Sequence, residues 1–394
     1  MADSKQKRPL PIARLTRAEK AQWLRLYAMA DRLDRLDPWP WMGAADCFGV
    51  ELPGSEEPCF VVFGGDSGKF RSVRFLLGWK ALYDFVTRLA DPAKRSVPTW
   101  MLEIRMLELL FVGEELLFEH EGALLRALKR PTDETFSTPV FRSILPGYHP
   151  WTLDELERAL VEVALYQAYG MAMRVEAEPQ MLRDRFPEAI WMRKQCADGA
   201  WQDAWVPVRE IHDEEVEVQI DSSALETVRK KPLGALTLQI DLVFMPLRLL
   251  PRGKRPQTAY VLLVVDAASG HIFSGELLQA TEGIARMWAE IPGRLLKLFA
   301  ETGGCPATIE ICGDRMANLL RPLGEWLPFR MVRREKLAML ERAREQMSAF
   351  MARALPSGPE RASLVTASVS SRLAAARLVS VGSSAVGSSA GSGS

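Results

Sequence analysis

The sequence predicts an α+β amino-terminal half followed by an α/β domain of order β-β-β-α-β-α-β-α, and three observations carry the prediction. From about residue 234, apolar runs of strand length give way to helix-length segments in regular alternation. The first of these runs, "ALTLQIDLVFMPL", sorts Leu238, Ile240, Leu242 and Phe244 onto one face and Thr237, Gln239, Asp241 and Val243 onto the other. The first half instead mixes amphipathic helices with isolated apolar runs, without that regular alternation.

Along the first half, residues 17–36 read as an amphipathic helix, because Trp23, Leu26, Tyr27, Ala30 and Leu33 recur at helical spacing. Pro38 and Pro40 end it. "CFVVFGGDSGKFRSVRFLLGWKALYDFVTRL" reads as strand, glycine-rich turn, strand, then a helix from about Trp79 to Leu89. "WMLEIRMLELLFV" holds further strands or short helices. "TLDELERALVEVALYQAYGMAM" is a helix, for which Thr152 is the expected N-cap and Glu155 completes a capping box. "AWVPVREIHDEEVEVQIDSS" suggests a charged, exposed strand pair.

In the second half, "AYVLLVVD" is apolar on both faces, as a central strand is, and "HIFSGELLQ" pairs back after a short turn. "TEGIARMWAEIPGRLLKLFAETGG" reads as a helix kinked at Pro292. "ATIEICGD" is a fourth strand, "RMANLLRPLGEWL" a short helix, "FRMVRR" a fifth strand and "EKLAMLERAREQMSAFMARAL" the last helix. The chain is thereby expected to divide into a flexible basic arm (1–16), an α+β domain (17–175), connecting strands (176–232), an α/β domain (233–355) and a low-complexity, disordered tail (356–394) ending in "VGSSAVGSSAGSGS".

Composition narrows the function classes. Lys plus Arg balances Asp plus Glu at 50 each, so no global basic field marks a nucleic-acid coat protein. Apolar runs reach about seven residues, far short of the ~20 a membrane helix needs. The basic, polar start has no apolar core of a secretory signal. Five cysteines without CxxC spacing argue against a zinc ribbon or a disulfide framework, and a cytoplasmic location is expected.

Two resemblances add to this reading. "LDPWPWMGAADCFGVELP" with "FVVFGGDSGKFRSVRFLLGWKAL" resembles the amino-terminal domain of a group of uncharacterised two-domain bacterial proteins. "LQIDLVFMPLRLLPRGKRPQTAYVLLVVDAASGHIF" is similar to the partner domain of that group, which implies no mechanism. The order of elements in the second half resembles the ribonuclease H-like superfold, including integrases and transposases. That resemblance implies an Asp on the first strand, an Asp at the end of the fourth and an acid on the last helix, holding two divalent metals. The matching positions here are Asp241, Asp314 and a Glu within 335–345. Oxygen ligands suit Mg²⁺ or Mn²⁺, and two such ions clamp the attacking and leaving oxygens of a phosphodiester.

Each acid also has a structural reading. Asp241 suits a helix-covered sheet face. Asp314 suits an N-cap, and Arg315 follows it where integrases commonly carry a small polar residue. Leu337, Leu340, Met347, Met351 and Ala354 form the apolar stripe of the last helix, which puts Glu341 on its flank and Glu335 and Glu345 toward solvent. Asp266 starts "DAASG" and reads as the turn residue of a hairpin.

Other signals read as structure. "GGDSGKF" lacks P-loop spacing and reads as a hairpin turn. His212-x-Glu214 is a fragment of an iron-ligand pattern without a third ligand. Trp39, Trp41, Trp191, Trp201 and Trp205 suit a core, or stacking on bases; "LPRGKRPQ" suits a solvated loop, or a phosphate contact. Two functions stay open: a binding or regulatory protein, needing no cofactor, with a non-catalytic ribonuclease H-like domain and a nucleic-acid or protein partner; or a metal-dependent nuclease or transposase-like enzyme using Asp241, Asp314 and Glu341, the two Asp as metal ligands.

Overall fold

The computed structural model describes residues 15–354, apart from 53–54, 67–68, 91–99, 133–136, 187, 210, 212–217, 219 and 250–254. The protein is mixed α/β with two sheets, one in each of two compact units. The first unit holds the described residues up to Leu145 and Pro150–Ile211; the second holds Pro146–His149 and all that is described after Ile211.

In the first unit, α1 (Arg17–Leu36) opens with a capping box between Thr16 and Glu19 and buries Trp23, Leu26, Tyr27, Ala30 and Leu33, the stripe its spacing predicts. Strands β1 (Phe48–Glu51), β2 (Cys59–Asp66) and β3 (Lys69–Leu77) follow, then α2 (Gly78–Ala90) and β4 (Met106–Val112). Next come α3 (Glu119–Ala127), β5 (Thr138–Ile144) and α4 (Glu155–Ala177). The cap of α4 is Asp154, boxed with Glu157, and not Thr152 with Glu155. Both pairs have capping-box spacing, but starting at Asp154 leaves Leu153 outside the helix and buried.

The expected strand pair also shifts. Strands β6 (Ala189–Gln195) and β7 (Trp201–Pro207) form it, turning through Gly199 at φ 83°, while residues 212–217 and 219 lie outside the described residues. The sheet order is β5-β4-β3-β2-β1-β6-β7, with β6 parallel to β1 and every other neighbour antiparallel. One core joins α1 and α4 to this sheet, with Trp23, Tyr27 and Phe141 in mutual ring contact. A row of buried charge crosses β3, β4 and β5. Arg74 pairs with Glu108 at 3.0 Å, Arg142 sits opposite Glu108 in register, and Arg142 pairs with Glu121 of α3 at 2.6 Å.

The second unit contains α5 (Ser222–Arg229), β8 (Thr237–Leu249), β9 (Gln257–Asp266) and β10 (Ile272–Gln279), then α6 (Ile284–Ala289) and α7 (Ile291–Glu301). It closes with β11 (Thr308–Ile311), α8 (Asp314–Trp326), β12 (Arg330–Arg333) and α9 (Ala338–Ala354). Pro292 does not kink one helix. It stands in the first turn of α7, where its missing N–H costs nothing, and α6 is a separate helix before it. The sheet order is β10-β9-β8-β11-β12; β8, β9 and β10 are antiparallel, and β11 is parallel to both β8 and β12.

The alternation read in β8 separates two cores. Leu238 and Ile240, with Leu242 and Phe244 at its margin, pack against α6, α7 and α8; Val243 and Met245 pack against Leu337, Leu340 and Ala343 of α9 and the residue before it. Pro146–His149 adds to this unit through β9. Gly147 C=O accepts from Thr258 N–H at 3.0 Å, and Tyr148 bridges Gln257. Among the described residues, no helix is long and apolar enough to cross a membrane.

Candidate functional site

Parity along β8 puts Gln239 and Asp241 on the face that α9 covers. Parallel pairing of β11 with β8 sets Glu310 beside Gln239, and Cys312 follows the last residue of β11. The carboxylates of Asp241, on β8, and Glu341, in the first turn of α9, both act on the Cys312 thiol. Desolvation first, then these two negative charges, hold the thiol above its ordinary value. Asp241 is half-buried, and one of its oxygens accepts from the Leu242 N–H at 2.8 Å.

Asp314 is placed differently. It begins α8, is exposed, and is bound by the Arg333 guanidinium at the end of β12, 2.6 Å away. The guanidinium of the next residue, Arg315, lies 4.3 Å over the Trp288 ring. Asp266 is the hairpin's turn residue: its carboxylate accepts from Ser269 N–H at 2.9 Å and from the Ser269 hydroxyl, and these bonds, the hydroxyl first, hold it below the ordinary range.

The residues that sequence reasoning did not single out are Gln239 and Glu310. The Gln239 amide oxygen accepts from the N–H groups of Met339 and Leu340, both at 3.0 Å, and so caps the start of α9. Its nitrogen donates to Glu310 at 2.9 Å, and the other Glu310 oxygen accepts from Arg334 at 2.7 Å. Burial works to raise the Glu310 carboxyl, but the bonds from Gln239 and Arg334 outweigh it and hold it low. A signal existed in the sequence: an acid between Ile309 and Ile311 faces away from the core those two residues build.

A pair of divalent cations needs several carboxylates converging on one point. Among the described residues, no three or more His, Cys, Asp or Glu side chains are arranged to hold a metal ion. Around β8 and β11, Asp314 is bound by Arg333, and Glu310 by Gln239 and Arg334.

The remaining candidates resolve locally. Trp39 is buried, and Trp41 donates to the Ala172 C=O at 2.9 Å. Trp191, Trp201 and Trp205 are covered by the guanidinium groups of Arg174, Arg193 and Arg185. In "GGDSGKF" a strand follows the turn, as β3. His212 and Glu214 lie outside the described residues, as does most of "LPRGKRPQ"; Arg255 at its end donates to the His149 C=O.

Fold and side-chain arrangement thus define a two-domain mixed α/β protein, each domain with its own sheet. Residues 23–193 match the family model described as Domain of unknown function (DUF7309), and residues 224–348 the one described as Domain of unknown function (DUF6930). Together the two matches cover most of the chain, consistent with the uncharacterised two-domain family that the sequence resemblance implied. No curated protein matches the chain.

Proposed function

We propose that the protein has a binding or regulatory role, and that its second domain is a non-catalytic relative of the ribonuclease H-like superfold. The strand order β10-β9-β8-β11-β12 supports the kinship, with three antiparallel strands, two parallel ones and a last helix over the Asp241 face. The observation that carries the non-catalytic part is the bonding of the acids. Asp314 is tied to Arg333, and the buried Glu310 is spent on Gln239 and Arg334, where a nuclease needs carboxylates free to converge.

One observation favours the second reading, a Mg²⁺- or Mn²⁺-dependent nuclease or transposase-like enzyme. Asp241 and Glu341 both bear electrostatically on the Cys312 thiol, one from strand β8 and one from helix α9. Labelled DNA and RNA incubated with Mg²⁺ or Mn²⁺ and the full chain separate the two readings. The binding reading expects no cleavage above that of Asp241→Ala. Metal-dependent cleavage that Asp241→Ala abolishes establishes the enzyme.

A further inference from the structure

β10 is the outermost strand of its sheet, and among the described residues only β9 pairs with it. One row of its backbone N–H and C=O groups therefore faces outward, in regular register from Ser274 to Gln279 after a bulge between Ile272 and Ser274. Natural edges are commonly protected by Pro, Lys or an inward charge. Residues 272–279 contain no Pro and no Lys, and Ile272 and Leu277 are 44% and 45% exposed.

Alongside this edge runs an open groove of about 980 Å³, whose floor and walls include Ser274, Gly275 and Glu276 of β10. Its charged lining is Asp221, Glu276, Glu290 and Glu301 against Arg294 and Lys297. Arg294 is already shared between Glu276 and Glu290, and Lys297 acts on Asp221, which leaves the groove net acidic with Glu301 exposed.

We propose that the β10 edge and its groove bind an extended segment of a partner protein in which basic and apolar residues alternate. A strand added to β10 lies about 4.8 Å away and sends alternate side chains to opposite faces. One set stands beside Ser274 and Glu276 and reaches the carboxylates, so those positions take Lys or Arg. The other set stands beside Leu277 on the opposite face, so those positions take apolar residues. A second copy of β10 fits less well, since it brings the same carboxylates onto the same face. The inference goes beyond the binding reading by naming the partner's chemistry, and it stands or falls independently of any cleavage activity.

The test uses the full chain and a fluorescein-labelled octapeptide of alternating Lys and Val, with a Glu/Val octapeptide as control. Anisotropy is expected to show Lys/Val binding and no Glu/Val binding, with hydrogen-exchange protection gained over residues 272–279. Backbone N-methylation of the peptide on alternate residues should abolish binding in one frame only. Glu301→Lys, at an exposed helix end where a cation suits the helix dipole, should weaken binding about three- to tenfold with no loss of thermal stability. Unchanged affinity in Glu301→Lys, protection located elsewhere, or tight binding by both methylated frames overturns the proposal. So does a dimer in sedimentation that Leu277→Lys dissociates, because a second copy then holds the edge.

Discussion

Gln239 serves three partners at once, two backbone N–H groups of α9 and the Glu310 carboxylate, and it is nearly fully buried. Replacing it with Leu keeps much of the volume and removes every bond, leaving buried donors and an acceptor unpaired. Each orphaned buried group costs about 1–3 kcal/mol, so Gln239→Leu should destabilise the second domain by about 2–4 kcal/mol in urea unfolding. A loss below about 0.5 kcal/mol would show that α9 finds its cap elsewhere. Glu310 carries the pH dependence of the same network. Its folded carboxyl sits below the ordinary value of 4.5, so its stabilising contribution is complete above that value and is lost as pH falls through the folded one. Urea midpoints of the second domain measured from neutral pH downward should therefore drop through the acid range, and Arg334→Met should flatten that drop. The strand period showed that Gln239 and Asp241 share the polar face of β8. It could not show that Glu310 and the start of α9 meet Gln239, because Glu310 is brought there by a parallel pairing 71 residues away in sequence and α9 comes from 100 residues away.

At the scale of elements, the buried charge row across β3, β4 and β5 is the feature most sensitive to single changes. Glu108 stands between Arg74 and Arg142, and its charge acts on both. Glu108→Ala leaves the buried Arg74 guanidinium without its carboxylate, while Arg142 keeps Glu121, and should cost the first domain about 3–5 kcal/mol, read by thermal or urea unfolding. Arg74→Met combined with Glu108→Leu removes the pair together and should cost less than Glu108→Ala alone. If the double variant is the less stable, the row stabilises the sheet through more than mutual compensation. Gly147 gives a second element-scale prediction. It adopts φ 84°, and a Cβ there would stand 2.4 Å from the Ala280 Cβ. Gly147→Ala should release Pro146–His149 from β9, seen as faster amide exchange at Thr258, with a stability loss of about 1–3 kcal/mol. The helices and strands themselves were largely legible, since amphipathic spacing and turn residues are local. Their boundaries were less so: two capping boxes compete at the start of α4, and burial of Leu153 decides between them.

At the scale of the whole molecule, each unit has its own sheet and its own buried clusters. Calorimetry of the full chain should therefore show two transitions rather than one. Glu108→Ala should move one of them and Gln239→Leu the other, and a single transition shifted by both variants would contradict two separate cooperative units. The balanced charge of 50 against 50 conceals local fields, of which the acidic groove beside β10 is one. By itself the sequence determined the five strands and the last helix of the second domain, which face of β8 is polar, and that Asp266 makes a turn, because period, capping and turn chemistry act over a few residues. Only the tertiary structure decided which acids meet which partners. The approach of Asp241 and Glu341 to one thiol, the diversion of Asp314 to Arg333, the use of Glu310 by Gln239 and Arg334, and the open edge of β10 all depend on strand order and register, which bring together side chains distant in the chain.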